Sequence, residues 1–191
     1  MTKVTDKVWD VEEYFEFQEN SELKYDYVNG KLIEVPGGTH QHNKIAMRIG
    51  AELLFALDNI EKEYHVLNSD MKIAIPNYKH FVYPDAVVIC EKIELFENRK
   101  DIITNPLLVV EVLSDSTEYY DRGSKFLKYK TLASFKEYVL VHQHLPKVDT
   151  FYKAAENTWK EDFADNINQK ITLHSLGIEL ELAKIYKGIS F

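Results

Sequence analysis

Residues 107–113 place a single acid inside an otherwise apolar run. The segment is Leu-Leu-Val-Val-Glu-Val-Leu, and this Val-rich composition is typical of a β-strand that is buried on both faces. A carboxylate in the middle of such a strand is costly unless a metal ion or a cation compensates its charge. Glu111 is therefore the first candidate functional residue, and the rest of the chain should supply its partners.

A second apolar segment, residues 81–90, also carries one acid, Asp85. It predicts a strand whose hydrogen-bond ladder is interrupted at Pro84, because proline has no N–H group. Two carboxylates on adjacent strands can hold one hard divalent cation, since Mg²⁺ usually takes one or two carboxylates together with waters and a substrate phosphate. Asp85 and Glu111 thus predict a metal site.

The order of the expected elements favours one α/β domain over residues 1–191, with a mixed central sheet flanked by helices and an N-terminal β-hairpin. Asn29-Gly30 between two strand-like runs predicts the hairpin, because a type I′ turn needs positive φ at both positions. Apolar residues at i, i+4 intervals predict an amphipathic helix that begins at Gln41. Other expected elements are helices over 8–20 and 118–132, strands over 65–75, 81–90, 107–113 and 137–141, and a hairpin over 147–163.

Composition narrows the functional classes. The net charge of −8 argues against nucleic-acid binding driven by overall charge. Metal-binding carboxylates are themselves negative before the metal binds, so this charge is still compatible with an enzyme that acts on nucleic acids. Cys90 is the single cysteine, which excludes an intramolecular disulfide and a cysteine-based zinc site. With no long apolar run and no signal-peptide pattern, we expect a cytoplasmic protein without a membrane span.

The two acids belong to a wider pattern. Pro84-Asp85 followed by Glu111-x-Leu113 resembles the PD-(D/E)XK nuclease superfamily, the fold of many restriction endonucleases, although the strand position that holds the superfamily's lysine is Leu113 here. The chain from 23 to 152 resembles a branch of small stand-alone restriction-endonuclease-like proteins, in which the lysine moves to the following helix. The matching residues are Asn29-Gly30, Glu34, His42, Pro84-Asp85, Glu111-Val-Leu-Ser114, Asp121-x-x-x-Lys125 and Glu137-Tyr138.

This resemblance implies a restriction-endonuclease-like domain that cleaves DNA with Mg²⁺ or Mn²⁺. Asp85 and Glu111 would be metal ligands, and Lys125 would orient or stabilise the nucleophile. Glu34 resembles an additional acid that helps to hold the metal or its water, and His42 would lie near the scissile phosphate. Residues 122–130 would contact backbone phosphates, including through Arg122 and Lys128. A homodimer is expected by analogy with nucleases that pair to cut two strands.

Plainer interpretations stand beside these. Asp85 fits a turn acid after Pro84, and Glu111 fits a structural acid paired with Arg122 or Lys125. The basic residues of the 118–132 helix fit a solvated face, and Lys128, one turn after Lys125, competes with it for the catalytic role.

Two other functions compete with the nuclease. The missing lysine at Leu113 favours a catalytically inactive nuclease-fold module for DNA binding or assembly. A metal-independent sugar hydrolase that uses two carboxylates ranks last, because no substrate-binding aromatic residues are identifiable.

Overall fold

The computed structural model describes residues 4–5, 7–115 and 117–191. Its helices are α1 (Val11–Glu19), α2 (His40–Leu57), α3 (Glu118–Tyr120), α4 (Phe126–Tyr129) and α5 (Leu182–Ile185), with a π-helical turn, Asp121–Lys125, between α3 and α4. Its strands are β1 (Tyr25–Val28), β2 (Lys31–Glu34), β3 (Tyr64–Asn68), β4 (Lys72–Ile75), β5 (His80–Val82), β6 (Ala86–Cys90), β7 (Ile102–Ile103), β8 (Leu108–Leu113), β9 (Glu137–His142), β10 (Val148–Ala155), β11 (Thr158–Ala164), β12 (Lys170–Leu173) and β13 (Ile178–Glu181).

The strands form two main sheets. The first has five strands in the order β2-β1-β5-β4-β7, and the second has six in the order β11-β10-β9-β8-β6-β3, while β12 and β13 pair separately. Both main sheets are mixed: β4 and β7 are parallel, as are β8 and β9, and the other neighbours are antiparallel. The parallel β8–β9 pair needs a crossover connection, which α3, the π-helical turn and α4 provide.

Three apolar clusters arrange these elements in layers. Tyr14 of α1 packs with Tyr27 and Leu32 on the outer face of the five-stranded sheet. Tyr129 of α4 packs between the two main sheets, within a cluster to which β4, β5, β6, β7, β8 and β9 contribute. The apolar stripe of α2 covers the far face of the six-stranded sheet together with α5 and the β12–β13 pair. Within the described ranges, no helix has the length and apolar character that a membrane span requires.

The expected α/β class, with mixed sheets flanked by helices, is confirmed. The hairpin prediction is also correct, since Asn29 and Gly30 have φ values of 48° and 85°. The amphipathic helix begins at His40, with Thr39 as its N-cap, because the Thr39 side chain accepts a hydrogen bond from the His42 backbone N–H.

Two expected strands are each broken in two. The 65–75 segment forms β3 and β4, and the 81–90 segment forms β5 and β6, and in both cases the two halves belong to different sheets. The second break falls at residues 83–85 and includes Pro84, which has no N–H group. Asp85 therefore lies where the chain crosses from one main sheet to the other.

Candidate active site

Glu111 lies on the face of β8 that points between the two main sheets. Its alternating neighbours Val109 and Leu113 belong to the inter-sheet cluster, whereas Val110 and Val112 pack on the opposite face with α2. Because side chains alternate along a strand, Glu111 shares the inner face. Its side chain is almost completely buried, so its charge must be met by groups inside the protein.

The π-helical turn supplies the cation that faces Glu111. Lys125 is buried, and its Nζ lies 2.7 Å from Glu111 Oε1 and 3.4 Å from Asp121 Oδ1. Lys125 also donates a hydrogen bond of 3.4 Å to the carbonyl oxygen of Tyr83, near the sheet crossing. Single π-helical turns are rare and often occur at functional sites. This turn buries two charged side chains, Asp121 and Lys125, beside a strand that carries a third.

Asp85 is held at both carboxylate oxygens. Oδ2 accepts a hydrogen bond of 2.7 Å from the Val112 backbone N–H, next to Glu111 on β8. Oδ1 lies 3.0 Å from His42 Nε2, which must be the donor because a carboxylate can only accept. The structure thus brings three of the sequence-predicted residues, Asp85, Glu111 and Lys125, into one group, and places His42 at its edge.

Glu34 is not part of this group. It is the cross-strand partner of Tyr25 and lies two residues from Leu32, so it belongs to the α1 face of the sheet. Within the described residues, no hydrogen bond or ion pair joins Glu34 to Asp85, Glu111 or Lys125.

The acid that the hairpin does bring to the site is Asp26, which sequence reasoning missed. Asp26 pairs with Ile33, so it lies on the face opposite Glu34, and it is buried. Its Oδ1 accepts a hydrogen bond of 2.9 Å from the backbone N–H of Tyr83. The carbonyl oxygen of the same residue accepts the hydrogen bond from Lys125. The sequence feature that could have identified Asp26 is an acid flanked by two tyrosines in an amphipathic strand.

The electrostatics of the group favour an additional cation. Burial raises the pKa of Glu111 well above its usual range, with partial compensation by Lys125. Burial also raises the pKa of Asp26 to about 6, again partly offset by Lys125. Burial alone would lower the pKa of Lys125, but the charge of Glu111 holds it well above its ordinary value. Several buried carboxyl groups thus share one lysine, and a bound metal ion would favour their ionised forms.

Lys128 and Arg122 have different surroundings from Lys125. In the described parts of the chain Lys128 makes no ion pair, its Nζ lies 5.6 Å from the centre of the Tyr120 ring, and partial burial lowers its pKa. Arg122 is bound elsewhere: its Nη2 lies 2.8 Å from Asp149 Oδ2, and its Nε lies 2.8 Å from Glu118 Oε1. Among the residues that the structure describes, no hydrogen bond or ion pair joins Lys128 or Arg122 to Glu111.

The donor atoms of the group fit a hard divalent cation. No cluster of three or more His, Cys, Asp or Glu side chains among the described residues is arranged to hold a metal ion. Asp85 and Glu111 would contribute two carboxylates, which is the number that Mg²⁺ usually takes when waters and a substrate phosphate complete its shell. The excess of buried carboxylates over cations supports the same fit.

Comparison with known proteins places the chain in a family. Residues 11–183 match the Uma2 family, which is described as "Putative restriction endonuclease". The chain belongs to the Uma2 family. Two relatives come from Synechocystis: uncharacterized protein slr1290 is 34% identical over 94% of this chain and 92% of its own length, and uncharacterized protein sll1609 is 30% identical over 83% and 89%.

A solved structure shares the Uma2-family fold. It is the crystal structure of "a putative nuclease belonging to DUF820" from Anabaena variabilis, with a TM-score of 0.75 and 14% sequence identity over 94% of this chain and 98% of the other. The predicted relationship to restriction endonucleases is therefore confirmed at the level of family and fold. The finer assignment to a lysine-displaced branch stays a prediction.

Proposed function

We propose that this protein is a metal-dependent endonuclease that hydrolyses DNA phosphodiester bonds. The observation that carries the proposal is the 2.7 Å contact between Lys125 Nζ and Glu111 Oε1. This contact brings a lysine from the π-helical turn to Glu111, in place of a lysine at position 113 of the strand. Asp85 is bound to the next residue of the same strand, Val112. The two acids and one lysine that PD-(D/E)XK nucleases use are thus present in one group.

Asp85 and Glu111 would hold Mg²⁺ or Mn²⁺ between them. When bound, such an ion polarises the phosphodiester and neutralises charge that develops on the phosphate. The protein contributes the fixed orientation of both carboxylates, because Asp85 is hydrogen-bonded at both oxygens and Glu111 is bonded to Lys125.

Lys125 would act on the attacking water. Its ammonium group has three hydrogens, and its three neighbours, Glu111, Asp121 and the Tyr83 carbonyl, fix its position. Nearby acids keep it charged, so it can stabilise a developing hydroxide or the negative charge of the transition state. Asp26 takes the place that the sequence assigned to Glu34, as the additional acid that faces Lys125.

Lys128 would contact a DNA backbone phosphate. Its partly buried ammonium group has no carboxylate partner in the described ranges, which suits it to an anionic ligand, and it lies one helical turn from Lys125. Arg122 is less suited to this role, because Glu118 and Asp149 already neutralise it. A homodimer and a cytoplasmic location stay predictions.

The test is nicking of supercoiled plasmid by purified protein with Mg²⁺, Mn²⁺ or EDTA. Wild type should nick only with metal, and Glu111→Gln should lose nicking by a factor of about 100 or more, as expected when a transition-state electrostatic contact is removed. Glu16→Gln is the matched control, because Glu16 is an exposed glutamate of α1 on the outer face of the other sheet. Comparing Asp26→Asn with Glu34→Gln decides which face of the hairpin serves the reaction.

Two results would contradict the proposal. Equal nicking by wild type and Glu111→Gln would show that another protein in the preparation cleaves the DNA. DNA binding without cleavage under any metal would favour the alternative that Leu113 suggested, a nuclease-fold module that binds but does not cut.

A further inference from the structure

Gly38, just before the N-cap of α2, makes a close contact that only glycine permits. A Cβ atom built on Gly38 would lie 2.6 Å from His42 Cδ2 and 3.1 Å from His42 Cγ. At the neighbouring Gly37, a Cβ atom would meet nothing within 4 Å. Gly38 does not have a positive φ, so the requirement is for space and not for backbone conformation.

The ring that Gly38 accommodates is fixed against Asp85. His42 lies in the first turn of α2, where its backbone N–H donates to Thr39 Oγ1 at 3.1 Å. Its Nε2 donates to Asp85 Oδ1 at 3.0 Å, and its side chain is largely buried, with 16% exposed. The other Asp85 oxygen is bound by the Val112 N–H. Two elements, α2 and β8, therefore hold the same carboxylate, each at one of its oxygens.

We infer that His42 is a positioning residue for Asp85, and that Gly38 is the residue whose missing side chain allows that contact. The inference rests on the proposed function, in which Asp85 is a metal ligand. Each carboxylate oxygen can accept more than one contact, so the His42 bond leaves Asp85 able to bind a cation while fixing its orientation. Hydrogen bonds of this kind to metal ligands commonly change metal affinity by about 10- to 100-fold.

The contact implies a specific pattern of variants. Gly38→Ala should displace the His42 ring and so act like His42→Ala, although Gly38 itself touches neither Asp85 nor the metal. Because both changes break one contact, the double variant should lose no more than either single variant. His42→Gln should recover part of the loss, since its amide nitrogen can donate to the same oxygen.

The experiment measures the affinity for Mn²⁺ alone, by calorimetry on metal-free protein, with thermal unfolding as a check on folding. Gly38→Ala and His42→Ala should weaken Mn²⁺ binding by about 10- to 100-fold, with unfolding temperatures close to wild type. Gly37→Ala is the matched control and should bind like wild type. Plasmid nicking by the same variants at saturating Mn²⁺ should recover towards the wild-type rate.

Each other outcome overturns the inference. If wild type binds Mn²⁺ and nicks DNA, but Gly38→Ala and His42→Ala bind as tightly as wild type, the positioning role fails and the nuclease assignment stands. Tighter binding by His42→Ala would show that His42 opposes the metal. If wild type binds no Mn²⁺ and nicks nothing, the proposed function fails, and the inference fails with it.

Discussion

Asp26→Asn should make the metal-free protein more stable at neutral pH while lowering its activity. Asp26 is buried on the inner face of β1, and its pKa is raised from an ordinary value of 3.8 to about 6, chiefly by burial. At neutral pH the folded protein must therefore keep a charge that burial disfavours. Asparagine removes the charge and keeps an oxygen that can accept the hydrogen bond from the Tyr83 N–H.

The magnitude follows from the two pKa values. One pKa unit corresponds to about 1.4 kcal/mol, so a rise from 3.8 to about 6 costs the folded state about 3 kcal/mol once Asp26 is ionised. The attraction of Lys125 is already included in this net shift. For a chain of this size, 1 kcal/mol changes the unfolding temperature by about 2–4 °C, so Asp26→Asn should raise it by about 6–12 °C.

Because the pKa of Asp26 is raised in the folded state, the stability difference between wild type and Asp26→Asn should depend on pH. Below about pH 4, Asp26 is protonated in both the folded and the unfolded state, and the two proteins should be equally stable apart from the substitution itself. Between about pH 4 and pH 6, the unfolded state loses its proton first, so wild type should lose stability relative to Asp26→Asn. Above about pH 6–7 the difference should stay constant.

The assay is urea unfolding in EDTA at several pH values, with Glu34→Gln as control because it alters an acid on the other face of the same hairpin. A stability difference that does not vary with pH, or a loss of stability in Asp26→Asn at pH 7, would refute the reasoning. Saturating Mg²⁺ should narrow the difference at pH 7, because a bound cation compensates the acids around Lys125.

The remaining predictions concern four single variants. Lys125→Ala should lower kcat by a factor of about 100 or more. Lys128→Ala should mainly raise the KM for DNA, and the slope of log KM against log salt concentration should fall by about one, because one phosphate contact is lost. Glu137→Ala should destabilise the fold by about 3 kcal/mol in urea unfolding, because the buried Glu137 accepts hydrogen bonds from the backbone N–H groups of His174 and Ser175. Asp149→Asn should lower stability at pH 7, and the difference should close as the pH falls below about 4, since hydrogen bonds and ion pairs outweigh burial and depress the pKa of Asp149.

The parts of the site visible from the sequence are those that break a local pattern. Glu111 interrupts an apolar run, and Asn29-Gly30 separates two strand-like runs, so each could be located without knowledge of the tertiary structure. Lys125 could not be separated in this way from Lys128 on periodicity alone. Its position depends on a π-helical turn packed between two sheets, and residue spacing does not predict that turn.

Asp26 and Glu34 show what the alternation of side chains along a strand cannot predict. Both acids lie on strands of one hairpin. Successive side chains of a strand point to opposite faces of the sheet, but the sequence does not show which of the two faces lies towards the site. The choice is made by α1, which covers the Leu32 face and leaves the other face to Lys125. The break at Pro84 was expected, but the crossing to a second sheet depends on long-range pairing.

The proposed chemistry would require an ammonium group at a point in space, and not a lysine at a particular position in the chain. Leu113 lies on the same face of β8 as Glu111 and packs in the inter-sheet cluster. A lysine there would bury a second cation on the face of β8 that carries Glu111. Lys125 comes instead from the connection between β8 and β9, and it binds groups from three segments: Glu111 of β8, Asp121 of its own turn, and the Tyr83 carbonyl at the sheet crossing. The helical lysine therefore connects β8 to the crossing that presents Asp85, which leaves position 113 free to serve the apolar core.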